Sequence, residues 1–129
     1  MIFLTIDVGN SSVFFCFFKG SKVINSIKLN KNEINKKTII KIIGKFQRDF
    51  NSLKIIISSV VPSISELLKI ILKDFKFEFF FLSEFKRKIN IKTKIKNKDS
   101  IGDDRIVNIF YAREIYKRSV IIVDFGTAT

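Results

Sequence analysis

Three apolar runs of strand length follow one another within residues 1–30, and only after them does the apolar spacing lengthen to that of a helix. Residues 2–6 end at Asp7-Val8-Gly9-Asn10-Ser11-Ser12, residues 13–18 stop at Lys19-Gly20, and residues 23–29 alternate loosely after Gly20-Ser21. Such short polar connectors leave room only for neighbouring antiparallel strands, so a three-stranded meander is predicted. Asn32 is read as the cap of a helix over residues 33–50, with Ile34, Ile39, Ile42, Ile43 and Phe46 at loosely helical spacing. Residues 53–61 are predicted to form a buried strand that ends at the only proline, Pro62. Ser63 is read as the cap of a second helix, on which Ile64, Leu67, Leu68, Ile71 and Phe75 share a face. Residues 77–82 give a fifth strand, Asp103 or Asp104 opens a last helix through Tyr116, and residues 120–123 begin one more strand. The predicted order β-β-β-α-β-α-β-α belongs to an α/β fold with a mixed sheet covered by helices. Residues 1–118 are expected to form one domain. Residues 119–129 would be the first strand of a second one, so the chain is expected to resemble the first half of something longer.

A motif recurs near the two ends. Ile6-Asp7-Val8-Gly9-Asn10-Ser11 and Val123-Asp124-Phe125-Gly126-Thr127-Ala128 both run apolar, Asp, apolar, Gly, then small or polar residues, each after an apolar stretch. Glycine lets a backbone approach a phosphate closely, small hydroxyl residues donate hydrogen bonds, and an aspartate at the strand end can hold a cation or its water. Two such turns face to face would clamp a nucleotide, whereas one alone reads as a plain hairpin.

Composition removes several chemistries. With no His and one Cys, the sequence cannot build a His-bearing zinc site, a Ser-His or Cys-His nucleophile pair, or an internal disulfide. A reducing cytoplasm suits it. The apolar start meets Asp7 too early for a signal peptide, and no run approaches the roughly 18 apolar residues of a membrane span. The net charge of +12 does not demand a nucleic-acid partner, because Ile, Lys, Asn and Phe, all with AT-rich codons, are enriched together. Cys16 lies among phenylalanines with no base beside it and reads as core, and Phe77, Phe79, Phe80 and Phe81 read as core or interface. Lys92, Lys94, Lys96 and Lys98 alternate as on one face of a solvated edge strand.

Taken together in order and spacing, Asp7-Val8-Gly9-Asn10-Ser11-Ser12, Ile57-Ser58-Ser59-Val60-Val61-Pro62, Gly102-Asp103-Asp104-Arg105-Ile106-Val107-Asn108 and Asp124-Phe125-Gly126-Thr127-Ala128-Thr129 resemble type III pantothenate kinase. The resemblance covers the whole chain and the first half of the family's usual length. It implies a ribonuclease-H-like domain of the actin-like, sugar-kinase and Hsp70-like ATPase superfamily, with ATP and pantothenate as substrates in the first step of coenzyme A synthesis. It further implies a cytoplasmic homodimer, Mg2+ accompanying ATP, and potassium or ammonium as the monovalent cation. Carried over by position, Asp7, Val8, Gly9, Asn10, Ser11, Ser12, Val13 and Phe14 would cradle the ATP phosphates, with Thr127 completing that grip. Gly102, Asp103, Asp104 and Arg105 would hold pantothenate, Asp104 would accept its proton, and Asp124 would bind the monovalent cation. The chain departs from the family at Asp103, where Ala is usual, and at Ile95-Lys96-Asn97-Lys98, where Tyr-Asp-Asn-Pro is common. The chemistry stands beside the resemblance: phosphoryl transfer needs positioning and charge neutralisation, for which one carboxylate at the attacking hydroxyl and donors around the phosphates suffice. Two other functions fit the same residues, namely a non-catalytic relative that keeps the fold and a small basic nucleic-acid-binding module with aromatic stacking platforms.

Overall fold

The computed structural model describes residues 1–45 and 53–126. Five strands, β1 (Ile2–Val8), β2 (Ser12–Lys19), β3 (Lys22–Asn30), β4 (Leu53–Ser59) and β5 (Glu78–Phe81), form one sheet in the order β3-β2-β1-β4-β5. The first three pair antiparallel, while β4 runs parallel to both β1 and β5. The mixed α/β sheet expected from the sequence is therefore the one observed. Gly20, at φ +60°, occupies the left-handed region in the tight β2–β3 turn, where a residue with a side chain would be strained.

Parallel neighbours need a crossover, and two helices lie in these connections. These are α1 (Lys36–Gly44), between β3 and β4, and α2 (Pro62–Asp74), between β4 and β5. Their apolar faces, Ile39, Ile42 and Ile43 on α1 and Ile64, Leu68, Ile71 and Leu72 on α2, join one core with Leu4, Ile6, Phe15, Phe17, Ile55 and Ile57 of the sheet. The other face of the sheet carries Thr5, Asp7, Phe14, Ile56 and Ser58 at the alternate positions. Beyond β5 come a single helical turn, α3 (Leu82–Phe85), and a fourth helix, α4 (Asp103–Tyr116), both of which contact β4. Cys16 is buried, and burial raises its thiol pKa, as suits an inert core residue.

Several boundaries differ from expectation. Asn32 lies inside a 3-10 turn, Lys31–Glu33, whose start is closed by Glu33 accepting from the Asn30 N–H at 2.7 Å. The cap of α1 is Asn35, which accepts from the Thr38 N–H at 3.0 Å. Phe46 and the rest of the helix expected beyond residue 45 fall outside the described residues until residue 53. Ser63 does not cap α2, because Pro62, which lacks an N–H, already takes the first helical position behind Val61.

The lysine-rich connector is not an edge strand. It folds back on itself: Lys98 donates to the Ile89 carbonyl at 2.5 Å, Asn97 accepts from the Asp99 N–H at 3.0 Å, and a 3-10 turn covers Lys98–Ser100. Nor do residues 120–123 form a strand. They pair with no strand among the described residues, and Ile121, Val123 and Phe125 are exposed. An isolated strand has no ladder to close, so the apolar run alone cannot hold it.

Candidate active site

At the C-terminal end of β1 the chain turns through Gly9, whose N–H donates to the Ser12 carbonyl at 2.9 Å, and returns as β2. A β-carbon at Gly9 would stand 3.4 Å from that same oxygen, an ordinary van der Waals contact. This turn forms one wall of an open pocket of about 860 Å³. Asp7, Val8, Gly9, Asn10, Ser11 and Ser12 line it from the sheet, Asp104, Arg105, Asn108 and Ile109 from α4, and Ile122, Asp124, Phe125 and Gly126 from the segment that follows. Both Asp-x-Gly segments thus meet at one pocket, as their repetition in the sequence suggested.

Three carboxylates converge here. Asp7 faces the open pocket yet is closely walled by protein, and this partial burial is the main cause that raises its pKa from the ordinary 3.8. Repulsion from Asp104 and then Asp124 pushes it further in the same direction. The Ser58 hydroxyl, beside Asp7 on parallel β4, opposes the rise. That hydroxyl is buried without a hydrogen bond of ordinary geometry, yet it lies close enough to favour the charged carboxylate. Asp104 Oδ1 accepts from the Arg105 N–H at 2.8 Å. Asp124 Oδ2 accepts from Asn108 Nδ2 at 3.2 Å.

Gly102, immediately before α4, does not line the pocket but makes room in it, since a β-carbon there would overlap Asp104 Oδ1. Asp103 points elsewhere: it is 6% exposed and pairs with buried Lys86. It is absent from the pocket wall, which Asp104 and Arg105 line in its place. Val13 belongs to the core at 1% exposure, and Phe14, although half-exposed beside Asp7 in register, does not line the pocket either. Thr127 lies outside the described residues.

The sequence reading missed two polar members of the wall. Lys28 sits on β3 opposite Phe14, which is opposite Asp7, so the strand register sets Asp7, Phe14 and Lys28 in one row on the pocket side of the sheet. Asn108 is four residues after Asp104 and therefore on the same helical face. The first needed the hairpin registers and the second only the helix period.

A cation here would meet oxygen donors from Asp124 and the Asn108 carboxamide, which suit a hard ion and not a soft transition metal. Among the described residues no group of three or more His, Cys, Asp or Glu is arranged to hold a metal ion. No helix among the described residues is long and apolar enough to cross a membrane.

Known proteins similar to this chain include solved structures and a curated relative. A crystal structure of a protein with an actin-like ATPase fold and unknown function from Bacteroides thetaiotaomicron VPI-5482 aligns with TM-score 0.44 and 7% identity, covering 60% of this chain and 31% of that one. A structure described as a candidate sugar kinase from Cytophaga hutchinsonii ATCC 33406 aligns with TM-score 0.44 and 19% identity, over 66% of this chain and 39% of its own. A curated type III pantothenate kinase from Aquifex aeolicus (strain VF5) is 33% identical over 128 residues, which is 99% of this chain and 48% of that protein. The chain therefore spans about half the length of that relative. With the family model for type III pantothenate kinase matching residues 3–129, the chain belongs to the type III pantothenate kinase family.

Proposed function

We propose that this chain supplies the phosphate-binding and proton-accepting wall of a pantothenate kinase cleft, which moves the γ-phosphoryl group of ATP to the hydroxyl of pantothenate. The observation that carries this reading is the meeting of the Asp7–Ser12 turn with Asp104 and Arg105 in one pocket. Backbone N–H groups and the Ser11 and Ser12 hydroxyls face anionic oxygens, while Lys28 and Arg105 bring positive charge to phosphates and to the pantothenate carboxylate. Asp104 spends one oxygen on the Arg105 N–H and keeps the other for the proton of the attacking hydroxyl. Asp104 and Asp124 both repel Asp7 across the pocket, so a cation bound with substrate relieves that repulsion.

Mg2+ would enter with ATP. Asp124 and Asn108 would hold a potassium or ammonium ion, whose charge offsets that of the phosphates. Membership of the family supports coenzyme A synthesis as the setting, the cytoplasm as the location and a homodimer as the working assembly.

The test is pantothenate-dependent ADP release by the chain extended with the C-terminal half of the Aquifex relative, in potassium, ammonium or sodium buffers. Activity that requires pantothenate and potassium or ammonium is expected. ATP hydrolysis indifferent to pantothenate overturns the substrate, and equal rates in sodium overturn the cation.

A further inference from the structure

The helix that presents Asp104 and Arg105 begins at a buried charge pair that the pocket does not contain. Lys86 follows α3 and its side chain is 8% exposed, while Asp103 opens α4 with its side chain 7% exposed. Lys86 Nζ lies 3.4 Å from Asp103 Oδ1, donates to the Asp99 carbonyl at 3.1 Å and donates to the Ile101 carbonyl. Of the three N–H donors of the ammonium, two serve these carbonyls, and the Asp103 carboxylate balances its charge. On the outside of the same loop, Arg87 Nη2 meets Asp99 Oδ2 at 2.6 Å, a second tie between the same two segments.

Such a pair is a poor source of stability, because the cost of removing both charges from water offsets their attraction and an apolar pair often serves as well. What it does specify is direction. Successive side chains on a helix are about 100° apart, so with Asp103 turned inward, Asp104 and Arg105 fall on the pocket side. A rotation of α4 by one residue would offer Asp104 to Lys86 and leave the pocket without that carboxylate. Two adjacent aspartates make this alternative chemically available, and the grip on carbonyls 99 and 101 excludes it by fixing where the helix starts.

We propose that Lys86 is a positioning residue of the pocket: by holding Asp103 and the carbonyls of Asp99 and Ile101, it sets the rotation of α4 and aims Asp104 and Arg105. The geometric claim is independent of the substrate, and its consequence for ligand affinity rests on the pantothenate kinase reading.

The test uses the 129-residue chain as parent, Lys86→Met, and the doubly neutral Lys86→Met with Asp103→Leu. Melting, the backbone amide spectrum, and titrations with pantothenate and with Mg-ATP are recorded. Lys86→Met alone strands a buried carboxylate and lowers the melting temperature by about 10 °C or more. The double variant regains most of that loss, yet the amides of Asp104, Arg105 and Asn108 stay displaced and pantothenate affinity stays at least about tenfold down, since small misplacements at a site are costly. A double variant with parental melting, parental amides and parental affinity overturns the proposal, because the pair would then be structural only. If the 129-residue parent binds neither ligand, the affinity arm is run on the chain extended with the C-terminal half of the Aquifex relative, where binding of neither ligand overturns the functional reading, and the amide positions still decide the anchor. Should the double variant not fold, Asp103→Asn keeps an acceptor in place and must preserve those amide positions, while Asp103→Leu must move them. Identical spectra for the two overturn the anchor.

Discussion

Replacing Asp104 by Asn separates two roles that an aspartate at a helix start can play. Its Oδ1 accepts from the Arg105 N–H at 2.8 Å, and an asparagine keeps an oxygen at that position. A carboxamide oxygen accepts a hydrogen bond as a carboxylate oxygen does, so this one survives. The lost negative charge costs about 0.3–1 kcal/mol of favourable interaction with the N-terminal end of α4. Relief of repulsion acts in the opposite direction, because Asp104 is one of the charges that raise the pKa of Asp7. Net stability therefore changes by less than about 1 kcal/mol, or about 4 °C in melting temperature for a chain of this size. Turnover responds differently. An amide cannot take the hydroxyl proton, and the loss of a general base costs on the order of 100-fold, about 2.7 kcal/mol of barrier.

The assay is pantothenate-dependent ADP release by the extended chain, run beside a thermal melt of the same preparation. The expected signature is a kcat lower by about 100-fold or more, with the KM for Mg-ATP within about threefold and an almost unchanged melt. Turnover within about threefold of the parent refutes the reasoning, since Asp104 would then act only at the helix start.

Three further outcomes follow from the pocket geometry. Lys28→Met removes an exposed cation from the pocket wall and should weaken Mg-ATP binding about threefold to tenfold without altering the melt; unchanged affinity removes Lys28 from the phosphate site. The raised pKa of Asp7 means that the folded chain holds its proton to higher pH than the unfolded chain, so the ionised carboxylate opposes folding above the folded-state pKa and costs nothing below the ordinary 3.8. Asp7→Asn should accordingly melt higher than the parent at pH 7 and equal to it near pH 3, and a lower melting temperature at pH 7 would contradict the crowding of charge described above. Gly102→Ala should displace the Asp104 carboxylate, cutting kcat by about tenfold or more while the sheet melts normally, and parental kcat would show that the carboxylate has another resting place.

Much of the sheet was legible because the rules that write it are local. The polar turns at Asp7–Ser12 and Gly20–Ser21 join strands that can only be neighbours, and the β-branched run before Pro62 has no helical face. Helix starts were harder to place. Asn30, Asn32 and Asn35 are equally good caps by residue type, and which one serves depends on where β3 stops. Residues 120–123 carry strand propensity without strand structure, since such propensity describes a surface awaiting a partner and no described strand provides one.

The site shows the same division at finer scale. Spacing alone puts Asp104 and Asn108 on one helical face, but spacing cannot choose between Asp103 and Asp104, which are both acidic and both in the first turn of α4. The choice is made by Lys86, which is 17 positions earlier and belongs to a basic run that composition reads as solvated surface. Burial turns that lysine from a surface charge into a constraint, because a desolvated ammonium must satisfy all its donors and only one rotation of α4 lets Asp103 help to do so. Asp103, a departure from the family when read in one dimension, is in three dimensions neutralised by Lys86 from behind and turned away from the pocket. The carboxylate left facing the pocket is Asp104, held there by a neighbour that never touches it.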